Sequence, residues 1–97
     1  MKEQVYEFLT KIPKGKVVTY GQIAEALGNK KLARVVGNVL HNNKDEIKYP
    51  CYKVVNSKGQ LSSNFAFGGI EKQKEKLEND GIEVVSYKVD LKKYQMK

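Results

Sequence analysis

Thr19-Tyr20-Gly21-Gln22-Ile23-Ala24-Glu25-Ala26-Leu27-Gly28, followed after Asn29-Lys30-Lys31 by Leu32-Ala33-Arg34-Val35-Val36-Gly37-Asn38-Val39-Leu40-His41-Asn42, reads as two short amphipathic helices joined by a tight polar turn. Thr19 is placed as an N-cap, where a hydroxyl can accept from an otherwise unpartnered amide of the first turn. Ile23, Ala24 and Leu27 give the helix from Tyr20 to Leu27 one apolar face, and Gly28 suits the left-handed residue that ends it. Leu32, Val35, Val36, Val39 and Leu40 recur at helical spacing over Leu32 to Asn42. Such a pair is a helix-turn-helix. Arg34, Gly37, Asn38 and His41 fall off the second helix's apolar stripe and form its exposed face. Gly37 costs about 1 kcal/mol against alanine in a helix interior. Either a tight helix-helix contact requires it, or something outside, such as a phosphate backbone, comes close there.

Working outward, Val5, Phe8 and Leu9 predict a first helix over residues 2–10, broken by Ile12-Pro13-Lys14-Gly15-Lys16. Val17-Val18-Thr19 is short and β-branched, which favours extended chain. Asn43 to Lys48 is a polar loop. Gly59-Gln60-Leu61-Ser62-Ser63-Asn64-Phe65-Ala66-Phe67-Gly68-Gly69 is a small-residue loop carrying two aromatics, which either stack on a planar ligand or plug the core. A charged helix is expected from Ile70 to Asp80, ended by Gly81. Ile82-Glu83-Val84-Val85 and Lys88-Val89-Asp90-Leu91 suggest a hairpin across Ser86-Tyr87. Lys92 to Lys97 is expected to fray, apart from a Tyr94 ring that packs back. The expected fold is mainly α with short β segments, a winged helix-turn-helix-like domain spanning residues 1–97.

Cys51 lies in Tyr49-Pro50-Cys51-Tyr52-Lys53-Val54-Val55, ahead of a turn at Asn56-Ser57-Lys58-Gly59. It is the only cysteine, so no intrachain disulfide forms, which fits a reducing, cytoplasmic compartment. A thiol between a rigid proline and a short strand is either a nucleophile or a small buried apolar residue. No apolar run is long enough to span a membrane, and Met1-Lys2-Glu3-Gln4 lacks the apolar core of a signal peptide. The formal charge of +7 and a pI near 9.5 suit either polyanion binding or a lysine-rich solvated surface. With one histidine, His41, and one cysteine, a zinc site is excluded, and no glycine-rich phosphate loop is present. No metal or cofactor is expected.

Three pieces then come together. Ile12-Pro13-Lys14-Gly15-Lys16-Val17-Val18-Thr19-Tyr20-Gly21-Gln22-Ile23-Ala24 resembles the opening of the DNA-binding domain of O6-alkylguanine-DNA alkyltransferases. Ala33-Arg34-Val35-Val36-Gly37 resembles that family's Ala-Arg-Ala-Val-Gly, and Pro50-Cys51 with Val54-Val55 resembles its Pro-Cys-His-Arg-Val. The order and spacing follow the family over nearly the whole chain, without its separate N-terminal domain. The resemblance implies a monomer that binds double-stranded DNA in the minor groove and flips O6-alkylguanine into a pocket. It implies that Cys51 accepts the alkyl group in a single turnover. Tyr20 would crowd the target phosphate and donate a proton, Arg34 would fill the vacated stack, and Asn43 would support the turn beside the thiol. Asn29, Ala33, Arg34, Gly37 and Ser57 would join Tyr20 in the DNA contact, and Tyr52, Phe65 and Phe67 would line the pocket.

The chain departs from the family where the proton moves. The histidine after the cysteine is Tyr52, the glutamate it serves corresponds to Asp80, and the arginine corresponds to Lys53. A neutral tyrosine, with a pKa near 10, is a poor base. A sister group, the alkyltransferase-like proteins, holds the flipped base without transfer. Recognition without transfer is therefore the alternative expectation, and a plain helix-turn-helix regulator the second alternative.

Overall fold

The computed structural model describes residues 2–45, 47–62, 65 and 67–96. Ser63, Asn64 and Ala66 of the aromatic-bearing loop lie outside the described residues. Helix α1 (Lys2–Thr10) buries Val5 and Leu9. Strand β1 (Val18–Thr19) runs straight into helix α2 (Tyr20–Ala26), and Thr19 joins them as the N-cap. Its hydroxyl accepts from the Gln22 amide at 3.0 Å, and the Gln22 side chain accepts from the Thr19 amide at 3.3 Å. This reciprocal pair is a capping box, which satisfies two amides that the first helical turn leaves unpartnered. Gly28 follows at φ +101°, the left-handed conformation expected of it.

Helix α3 (Ala33–His41) starts one residue later than its apolar pattern suggests, because Lys30–Leu32 form a turn of 3-10 helix. The Asn29 side chain caps that turn by accepting from the Lys31 amide at 2.9 Å. Helices α1, α2 and α3 close over a core of Val5, Leu9, Ile12, Ile23, Ala24, Val36 and Leu40, which Cys51 and Phe65 complete. Strand β2 (Val54–Val55) pairs in parallel with β1, Val18 opposite Val54 and Thr19 opposite Val55. A second core of Val17, Val55, Leu61, Leu77, Ile82, Val84 and Val89 lies under helix α4 (Gly69–Asn79).

Two expectations about the C-terminal third need correction. The hairpin is reduced to one bridge, Val85 with Lys88, across Ser86 and Tyr87 at φ +53° and +58°. The chain beyond it pairs with residues 59–61 instead: Leu61 donates to the Tyr87 carbonyl and Val89 to the Gly59 carbonyl, each at 2.9 Å. The described part of the tail, Lys92 to Met96, does not fray. Asp90 caps a short helix α5 (Leu91–Tyr94), and the next residues lie along Val17. Val17 donates to the Tyr94 carbonyl and accepts from the Met96 amide, each at 2.8 Å. The backbone of Val17 supplies the partner that a frayed tail lacks. Tyr94 does pack back, its hydroxyl accepting from the Glu83 amide at 3.1 Å. No described helix is long and apolar enough to cross a membrane.

Candidate functional site

Cys51 begins a turn of 3-10 helix, Cys51–Lys53, directly after Pro50 and directly before β2. The parallel pairing of β2 with β1 ties this turn to the strand that runs into α2, the turn preceding one end of the pair and Tyr20 following the other, so the separation of positions 51 and 20 is fixed. Both line a cavity of about 390 Å³, together with Gly37, Asn38, Leu40, His41, Ser62, Phe65 and Gln73. Cys51 is 5% exposed. It is thus both a buried residue of the core and a wall of the cavity.

Burial pushes the Tyr20 phenol above its ordinary value, a hydrogen bond with Ser62 opposes this, and negative charge on Cys51 raises it again. Tyr20 therefore stays protonated at neutral pH and faces the cavity as a donor rather than a base. Tyr6 is raised as well, first by burial and then by charge on Cys51 and Tyr49. Its ring stacks on Tyr49 at 4.8 Å, and its hydroxyl donates to the Val39 carbonyl at 3.1 Å. Asn43, buried between these elements, donates to the Tyr49 carbonyl at 2.8 Å and accepts from the Asp45 amide at 3.1 Å. It thereby fixes the loop that delivers Pro50 and Cys51.

Tyr52 does not line the cavity. Its ring lies in a neighbouring cleft with Ile47, Pro50, Lys76, Asn79 and Asp80. Its hydroxyl donates to Asp80 at 2.7 Å. In a 3-10 turn consecutive side chains point in different directions, which sends position 52 away from the wall that position 51 forms. Lys53 is buried, and its ammonium donates to the Ile12 carbonyl at 3.1 Å and stands 3.9 Å from Asp80. Phe65 is buried and lines the cavity, whereas Phe67 lies half-buried behind it, ring edge to ring at 5.8 Å.

The opposite side of Tyr20 faces an open groove. Tyr20, Gly21, Lys30, Ala33, Arg34, Gly37, Asn56 and Ser57 line it. Every residue expected to contact DNA is here except Asn29, whose side-chain oxygen is engaged in capping the Lys30–Leu32 turn. Arg34 is exposed, and no described residue gives it an ion pair. A side-chain carbon placed on Gly37 meets only the Tyr20 ring, at 3.9 Å, an ordinary contact. Packing within the chain thus does not require glycine at that position.

Residues 1–82 match the family model for the DNA-binding domain of 6-O-methylguanine DNA methyltransferase. The chain belongs to this family. Among its relatives, the bifunctional methyltransferase/endonuclease of Picrophilus torridus is 44% identical over 94% of the chain, which spans 30% of that longer protein. Alkyltransferase-like protein 1 of Schizosaccharomyces pombe is 36% identical over 97% of the chain and 92% of its own length. A DNA base-flipping protein of Vibrio parahaemolyticus is 42% identical over 95% of the chain and 91% of its own length. The crystal structure of S. pombe Atl1 with damaged DNA containing O6-carboxymethylguanine superposes with a TM-score of 0.90 at 36% identity, covering 99% of this chain and 94% of that one.

Two residues of the family fold escaped the sequence reading. Gln73, 1% exposed, reaches from α4 to both sides of the cavity. Its amide nitrogen donates to the Tyr52 and Val54 carbonyls, each at 3.0 Å, and its oxygen accepts from the Ser62 amide at 2.7 Å. The signal was its place on the Ile70, Gln73, Leu77 stripe, where an uncharged polar residue sits on the inward face of a charged helix. Gln22 closes the capping box, and the Thr19-x-x-Gln22 spacing carried that signal.

Proposed function

We propose that the protein binds duplex DNA containing O6-alkylguanine, turns the alkylated base out of the helix into the Cys51 cavity, and takes the alkyl group onto Cys51 once. One observation carries this reading: Tyr20 and Gly37 line both the open groove and the cavity that Cys51 lines. A nucleotide leaving a duplex docked on the groove reaches the thiol by crossing that shared wall. Enzymes acting on a base remove it from the stack in this way. Family membership and the relatives named for base flipping and alkyl transfer support the same reading.

The chemistry follows from the groups present. A Cys51 thiolate attacks the alkyl carbon, a sulfur–carbon bond forms, and the bond from that carbon to guanine O6 breaks. The electron pair leaves with guanine, and a donor at the base edge lowers the cost of that charge. The protonated Tyr20 phenol is such a donor. Arg34 is exposed at the groove, and its planar guanidinium suits the gap left in the stack. The thioether is not turned over, so one molecule repairs one base.

A second reading is recognition without transfer. The Tyr52 hydroxyl is bonded to Asp80 in a different cleft, so this pair is not aligned to take the thiol proton. The relatives that match in length are an alkyltransferase-like protein and a base-flipping protein. Intact-protein mass after incubation with an oligonucleotide carrying O6-methylguanine separates the readings. Transfer gives a gain of one methyl mapped to Cys51, and Cys51→Ala abolishes the gain while DNA binding persists. Preferential binding of the same oligonucleotide with unchanged mass at long times establishes recognition alone.

A further inference from the structure

We infer that the C-terminal segment Tyr94–Met96 is a positioning element for Tyr20, acting through the side chain of Gln22. This deepens the proposed function and rests on its reading of base extrusion, with Tyr20 crowding the target phosphate as the resemblance implies. The family match ends at residue 82, so this segment lies beyond it. It is nevertheless joined to the chain on both sides of Tyr20. On the N-terminal side, Val17 exchanges backbone hydrogen bonds with Tyr94 and Met96, each at 2.8 Å. On the C-terminal side, the Gln22 amide nitrogen donates to the Met96 carbonyl at 2.5 Å, and the Gln95 amide nitrogen donates to the Gln22 oxygen at 2.9 Å. That same oxygen accepts from the Thr19 amide at 3.3 Å. Lys16 adds a bond to the Lys93 carbonyl at 3.4 Å.

Tyr20 is the first residue of α2, where a helix has the fewest internal hydrogen bonds. Pressing a ring against a phosphate exerts an equal push back on that first turn. A capping box resists unwinding of the turn but not its displacement as a unit. Attachment of Val17 and Gln22 to one outside segment resists displacement. Gln22 is the only link on the helix itself among the described hydrogen bonds to the segment, and it uses both ends of its amide to make it.

Gln22→Glu separates the two roles of this side chain. A glutamate at this position still completes a capping box, and its charge is favourable at a helix N-terminus. It still accepts from Gln95, but it has no proton to donate to the Met96 carbonyl. Gln95→Leu is a neutral companion that removes the other contact. Binding is measured to a duplex with one O6-methylguanine and to the same duplex undamaged, with 2-aminopurine beside the lesion reporting extrusion by fluorescence. Both variants are expected to keep the parent's thermal midpoint and to bind undamaged duplex within about twofold of it. Lesion preference and the fluorescence rise are expected to fall about tenfold, which corresponds to about 1.4 kcal/mol. Parental preference in both variants overturns the inference, and so does an equal loss on damaged and undamaged duplex, which marks a charge or folding effect. A parent protein without lesion preference instead overturns the proposed function.

Discussion

Glycine 37 occupies the middle of α3, where its cost must be offset by something. The structure leaves room for a side-chain carbon there, against the Tyr20 ring alone. Gly37→Ala is therefore expected to stabilise the protein by up to about 1 kcal/mol, seen as a raised thermal midpoint. The same methyl stands between groove and cavity, so affinity for lesion-bearing duplex is expected to fall in a filter or fluorescence titration. A gain in stability with undiminished affinity would show that DNA does not approach this glycine. Tyr52 illustrates the limit of reading single residues. That a neutral tyrosine is a poor base follows from its chemistry, but its direction was not legible, since the 3-10 turn that points it to Asp80 has no sequence mark of its own.

At the scale of elements, α4 holds the site without contributing a charge to it. Gln73 bridges the Cys51–Lys53 turn, β2 and the segment at Ser62 with a single amide. Gln73→Ala removes the hydrogen bonds that the Ser62 amide and the Tyr52 and Val54 carbonyls make to this side chain. Each buried unsatisfied group costs about 1–3 kcal/mol. A loss of about 3 kcal/mol or more is expected in chemical denaturation, with an unchanged m-value. A loss below about 1 kcal/mol would mean that water replaces the amide. The helix pair was legible because local apolar spacing and the Thr19 cap specify it. The pairing of β1 with β2 was not, because two β-branched residues in each strand name no partner. The tail was misread for a related reason: Tyr94 to Met96 gain order from the backbone of Val17, and a backbone edge has no sequence signature.

For the molecule as a whole, the formal charge of +7 becomes informative once a groove carrying Lys30 and Arg34 is seen. Affinity for undamaged duplex is expected to fall linearly with salt on logarithmic axes, by a slope of about 0.9 per phosphate neutralised. Lys30→Ala is expected to reduce that slope by about 1 in titrations between low and moderate salt. An unchanged slope would place Lys30 outside the contact. The bonds from Gln22 to Met96 and Gln95 raise a question of time rather than strength. They join residues 74 and 73 positions apart in the chain. Contacts of long sequence separation form late, because loop closure must come first. On a ribosome the helix-turn-helix emerges and can pack while the segment that anchors it is still unmade. A nascent chain can thus fold its helix-turn-helix before Tyr94 to Met96 are made and can pair with Val17 and Gln22.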